Sequence, residues 1–185
     1  MEQAVEFYLD KYEERLMHDL LKRLSEKGLL DNRVMLSDDI TDVWTAVAPD
    51  YVADSVKEIT KYPDVALGWA MYLGMAVAHF WDEDWMKYSA MDNIYLYLRD
   101  KRGYDYMDEV VRGEVLGLAG DAFDEMEETV RSCAAYAQSM IRHENIEPQS
   151  PMAFHVYARS IRVLYKLGAA MELKTLGYKV EKVKD

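Results

Sequence analysis

The segment from His79 to Trp85, His-Phe-Trp-Asp-Glu-Asp-Trp, concentrates more chemistry than any other in the chain. On a helix, residues three and four apart share a face, so His79, Asp82 and Glu83 stand together, while Trp81, Asp84, Trp85 and Tyr88 stand on another side. One imidazole with two carboxylates is a donor set for a divalent metal, the one cofactor these residues suggest. The indoles and the phenol suit the wall of a ligand pocket or a partner site, because they join apolar area to a polar tip. Tyr95 and Tyr97 follow closely, and the stretch from Trp69 to Tyr106 holds 10 of the chain's 22 aromatic residues. Trp81, Trp85, Tyr88, Tyr95 and Tyr97 are therefore the candidate binding residues, and His79, Asp82 and Glu83 the candidate metal ligands.

Each of these groups also has a purely structural use. Glu83 can pair with Lys87 one turn on, Asp82 or Asp84 can accept from Arg99 or Arg102, and His79 can be a hydrogen-bonded core residue. One helix supplies too few ligands for a metal, so Glu109 or Glu114 from a following helix would have to complete the set. Carboxylates at the end of a helix face its negative pole at a cost of roughly 0.3–1 kcal/mol each, so something must compensate Asp82, Glu83 and Asp84.

Other motifs carry less. Asp38, Asp39 and Asp42 form an Asp-Asp-x-x-Asp pattern of the kind that holds magnesium diphosphate, but they follow Ser37, and an N-cap with acids in the first turn explains them. There is no Gly-rich phosphate loop, no zinc-type cysteine pair, no nucleophile elbow, and no His with a Glu three residues before it. Cys133 lies among Val130, Ala134 and Ala137 at inner-face spacing, which predicts an inert buried thiol. No catalytic set is complete, so the expected role is non-enzymatic.

The elements that must position these residues are helical throughout. Val5, Leu9, Tyr12, Leu16, Leu20 and Leu24 recur at helical period up to Gly28. Ile40, Val43, Trp44 and Val47 form the inner face of a second helix that Pro49 ends or kinks. Pro63 opens a helix over about 64–88, apolar all round, whose Ala66, Ala70, Gly74 and Ala78 make a small-residue seam for close backbone approach. Shorter patterns at about 92–101 and 105–117 are followed by a long helix from Asp121 and another opened by Ser150 and Pro151. The prediction is an all-α, single-domain bundle of six or seven helices around the central apolar helix over residues 1–178, with a loose tail at 179–185.

Composition sets the outer limits. The 185 residues are 50% hydrophobic and carry a formal charge of -12, which suits a chain able to bury a core and disfavours a nucleic-acid partner. The uncharged run from Val65 to Trp81 is short for a membrane span and is flanked by Asp64 and Asp82, so no membrane partner is expected. An acidic, amphipathic start and a lone cysteine point to the cytoplasm. Charge is uneven: residues 1–150 sum to -16 and 151–185 to +4. Arg159, Arg162 and Lys166 share a face and could hold an anion; the preferred expectation is intramolecular neutralisation, with the last two long helices antiparallel so that the acidic start of one meets the basic end of the other. The functional expectation is a protein-interaction or self-association domain, a homo-oligomer in the latter case, that docks through its aromatic patch; the alternative is a bundle that binds a small molecule or a divalent metal, with enzymatic use of that metal open.

Overall fold

The computed structural model describes residues 2–59 and 61–179, so most of the expected tail lies outside the described residues. Seven helices pack together: α1 (Gln3–Glu26), α2 (Asp38–Ile59), α3 (Pro63–Ser89), α4 (Ile94–Arg102), α5 (Met107–Glu109), α6 (Asp121–His143) and α7 (Pro151–Thr175). No strand occurs among the described residues, as the helical period of the apolar residues requires. No helix among them is long and apolar enough to cross a membrane.

The helix starts follow from their caps. Ser37 accepts from Ile40 N at 3.3 Å and Ser150 from Ala153 N at 3.1 Å, each satisfying an orphan donor of the first turn. The acids Asp38 and Asp39 then sit at the positive pole of α2, which accounts for their place in the sequence. Of the two expected outcomes, an end or a kink, the end does not occur: Pro49 lies within α2, which continues to Ile59.

α1 buries Leu9, Tyr12, Leu16, Leu20 and Leu24, the stripe its period predicts. α3 packs against α2, α6 and α7, and between Ala66 and Phe80 only Trp69 and His79 are more than marginally exposed. At Gly74 the seam becomes a backbone crossing. A Cβ there would collide with the Tyr165 carbonyl oxygen and lie 2.9 Å from Ala169 N, and one at Gly168 would collide with the Met71 carbonyl. Two glycines thus let α3 and α7 touch main chain to main chain.

Buried phenols pin neighbouring helices. Tyr165 OH donates to Ile40 O at 2.6 Å, joining α7 to α2; Tyr51 OH donates to Ala66 O, joining α2 to α3; and Tyr12 OH bonds Ser160 Oγ at 2.6 Å, joining α1 to α7. Each phenol buries a large ring while its polar tip remains bonded, which avoids the cost of an unsatisfied hydroxyl.

The charge imbalance resolves differently from the sequence expectation. Arg159 bonds Asp10 and Glu13 at 2.7 Å and Glu6 at 3.0 Å, and Arg162 Nε bonds Glu13 at 2.8 Å, all on α1 rather than α6. The cause is topological: α1 lies alongside α7 and brings its acids level with both arginines. Burial acts to raise the Glu13 carboxyl, but Arg162 and Arg159 outweigh it and hold Glu13 below the usual carboxylate range.

Between α4 and α6, where the sequence predicts a short helical pattern interrupted by Gly113 and Gly117, the chain is irregular. A 3-10 turn at Tyr104–Tyr106 leads into α5, which widens into a π-helical turn over Val110–Val115. This turn carries Arg112 inward, where it is 2% exposed. Its guanidinium donates to Asp108 Oδ2 at 3.2 Å, Phe123 O at 3.1 Å and Glu127 Oε2 at 3.4 Å, and stands 3.9 Å from the centre of the Phe123 ring. Charge pairing, a carbonyl and an aromatic face together replace the water this cation has lost.

Candidate functional site

The site is built on a break in α3. Asp84 has φ -162° and ψ 81°, an extended conformation, and its Oδ1 accepts from Lys87 N at 3.2 Å. Asp84 is therefore the N-cap of the turn that follows, so a residue that would oppose one helix end instead starts a new one. Trp85, Met86 and Lys87 leave the axis of α3 at this point.

The two other acids are compensated by phenols instead of by the expected cations. Tyr178 OH donates to Asp82 at 2.6 Å, and Tyr88 OH donates to Glu83 at 3.4 Å. Arg99 bonds Asp54 at 3.1 Å and Asp100, and Arg102 bonds Glu109 at 3.2 Å, so neither arginine serves Asp82 or Asp84. Lys87 Nζ lies 5.0 Å from the centre of the Tyr88 ring.

His79 turns inward from α3 toward α7. Its Nδ1 is 3.5 Å from Glu172 Oε1, too long for a strong hydrogen bond, and this buried nitrogen has no other partner among the described residues. Glu172 is 7% exposed. Burial raises its carboxyl above the usual range; His79 opposes that rise and Asp82 adds to it. Glu172 lies outside the residues singled out by sequence. Its signal is an acid between Met171 and Leu173 near the end of an apolar helix face.

The candidate metal residues diverge: His79 faces Glu172, Asp82 faces Tyr178, and Glu83 faces Tyr88. Among the described residues no three His, Cys, Asp or Glu side chains converge as a metal-holding group.

The aromatic candidates divide between core and surface. Tyr95 is fully buried, with its hydroxyl donating to Asp54, and Tyr88 is 5% exposed, stacked on Phe80 at 4.1 Å. Tyr97 is half-buried, its ring edge-on to those of Phe80 and Tyr88. Tyr88 and Tyr95 therefore belong to the core rather than to an exposed patch, since each buries its ring and satisfies its hydroxyl within the chain.

Trp81 and Trp85 are half-buried and reach the surface. Trp81 Nε1 donates to Asp39 Oδ2 at 3.4 Å, and its ring lies 5.3 Å from that of Tyr178. Trp85 lines an open groove of about 280 Å³ with Val43, Met91, Asp39, Asp42 and Asp92. Next to Trp85 in the chain, Met86 is 88% exposed, the most exposed large apolar side chain among the described residues and another residue outside the sequence candidates.

Trp81 and Trp85 therefore reach the surface beside the acidic rim of Asp39, Asp42 and Asp92, and Met86, next to Trp85 in the chain, adds a bare thioether. No cysteine lies among these residues, and the Cys133 thiol, buried between α6 and α1, is pushed up to about 11 by burial. A wider cleft of about 600 Å³ lies between α2 and α4, but its central charges already pair, Asp54 with Arg99 and Tyr95. Comparison with protein-family models, with curated proteins and with solved structures finds no match to this chain.

Proposed function

We propose that the chain is a protein-interaction domain that acts without catalysis, docking a protein surface on the face formed by Trp81, Trp85 and Met86. The observation that carries this reading is Met86, 88% exposed at the α3 break. Single exposed apolar residues are ordinary, but this thioether follows directly in the chain on Trp85, one of two indoles that reach the surface at an acidic rim, which supports reading the three as one apolar centre. Interfaces concentrate their energy in such centres, with aromatic and Met side chains enriched and a polar rim that excludes water. The half-buried indoles are already held by core contacts, so docking costs little ordering entropy.

The test uses a displayed library of random peptides as the probe. Selection on the wild-type chain is expected to enrich peptides that combine apolar and charged residues, and Met86→Glu with Trp85→Ala to weaken their binding by about tenfold or more. Circular dichroism should show the variant as helical as the wild type, because neither residue is fully buried. Failure to enrich any peptide, or equal binding by the variant, would remove the reading.

A further inference from the structure

We infer that the surface docked on this face is a second copy of the same chain, seated about a twofold axis close to Trp81 and Trp85. The inference rests on reading the face as a docking surface and adds the identity of the occupant. Its basis is the arrangement of charge on either side of the indoles.

On one side lie Asp39, Asp42 and Asp92 around the Trp85 groove. On the other lie Arg33, Lys174 and Lys179 around a second hollow of about 340 Å³, which Met35 and Tyr178 also line. Tyr178 joins the two sides, with its ring 5.3 Å from Trp81 and its hydroxyl on Asp82. Lys174 is held by Asp31 and the Gly28 carbonyl, both at 2.9 Å. Arg33, Lys179, Asp42 and Asp92 are exposed and make no ion pair among the described residues.

A strip that is acidic at one end and basic at the other, with a middle of aromatic rings in which Asp82 is bonded by the Tyr178 hydroxyl, is complementary to itself at its two ends when turned through a half rotation. A twofold axis places the basic hollow of each copy over the acidic groove of the other, so both contacts form at once. A uniformly basic partner would satisfy Asp42 and Asp92 but leave Arg33 and Lys179 facing like charge. A uniformly acidic partner would do the reverse. The excess of -12 on each copy opposes association, but at ~0.15 M salt charge is screened over about 8 Å, so pairs in contact outweigh distant repulsion.

The experiment is sedimentation of the full chain from low to about 100 µM, a range that spans the affinities of modest interfaces. The wild type is expected to pass from monomer to dimer. Arg33→Glu with Lys179→Glu, and separately Asp42→Lys with Asp92→Lys, should each weaken the dimer by about tenfold or more. An equal mixture of the two variants should dimerise again, because the hybrid restores one native and one reversed set of pairs. All four positions are exposed, so circular dichroism should report intact helices in each variant. A wild type that stays monomeric, a dimer indifferent to both charge reversals, or variants that fail to complement each other would overturn the inference. If peptides still select the Trp85 and Met86 face, such a failure removes only the second copy; if no peptide does, the docking reading falls as well.

Discussion

Gly74→Ala is expected to destabilise the fold by about 3 kcal/mol or more, a large part of the roughly 5–15 kcal/mol that holds a domain of this size together. The added methyl would meet the Tyr165 carbonyl oxygen and Ala169 N, both main-chain atoms of α7. Neither can turn aside as a flexible side chain would, so α3 and α7 must separate along their contact. Gly168→Ala drives the same separation from the opposite side, against the Met71 carbonyl. Gly113→Ala is the control: a Cβ there would meet only Phe123 Cε2, at 3.8 Å, an ordinary contact. That substitution should be neutral or stabilising by up to about 1 kcal/mol, because alanine loses less backbone entropy than glycine in a helical turn. Urea titration followed by circular dichroism measures all three, and a Gly74→Ala midpoint equal to the wild type would show that the helices do not touch as described.

Arg112→Met is expected to cost about 3–5 kcal/mol at neutral pH, the range for removing one partner of a buried ion pair. Methionine fills part of the space but leaves Asp108 without its cation and the Phe123 carbonyl without its donor. Burial already holds the Asp108 carboxyl above the usual range, although Arg112 opposes the rise. Losing Arg112 raises it further. A carboxyl whose folded value lies above its unfolded value favours folding when protonated and loses that contribution as pH rises through the folded value. The deficit of the variant relative to wild type should therefore shrink as the solution is acidified, and adding Asp108→Asn should recover part of it at neutral pH. Paired denaturation curves across the acid range check both statements; a deficit that does not change with pH would show that Asp108 is not the group left uncompensated.

Much of the fold is legible in the residues themselves. The stripe from Leu9 to Leu24, the caps Ser37 and Ser150, and the close approach at Gly74 all express periods or side-chain chemistry that act over a few residues. What escapes the sequence depends on which helices become neighbours. Arg159 and Arg162 look equally able to serve α6 or α1, and only the placement of α1 beside α7 selects Glu13. Arg112 is a surface residue by type, and its burial depends on a carbonyl and a carboxylate supplied by α6.

The candidate site was legible in place more than in detail. The acids at 82–84 stand out because they oppose a helix end, and the answer at Asp84 is local: its side chain reaches Lys87 N and begins a new turn. Asp followed three residues later by Lys lacks the reciprocal acid or amide of a capping box, so the pattern gives little sign of the break. Tyr88 and Tyr95 could not be separated from Trp81 and Trp85 by sequence, because all four have the mixed character that suits either a core or an interface. Burial against Phe80 and the bond to Asp54 decide the first pair. Met86 becomes conspicuous only through its exposure in the fold, which its residue type does not announce.

On the proposed reading, Trp81, Trp85 and Met86 are covered when a second copy or a selected peptide binds. Hydroxyl-radical footprinting measures this directly, because thioethers and indoles oxidise in proportion to their exposure. In dilute solution Met86, 88% exposed, should oxidise rapidly, as should Phe7 at 65% on the distant start of α1. At about 100 µM protein, or with a saturating selected peptide, Met86 and Trp85 should be protected while Phe7 keeps its rate. Oxidation of Met86 that stays unchanged under both conditions would contradict the account.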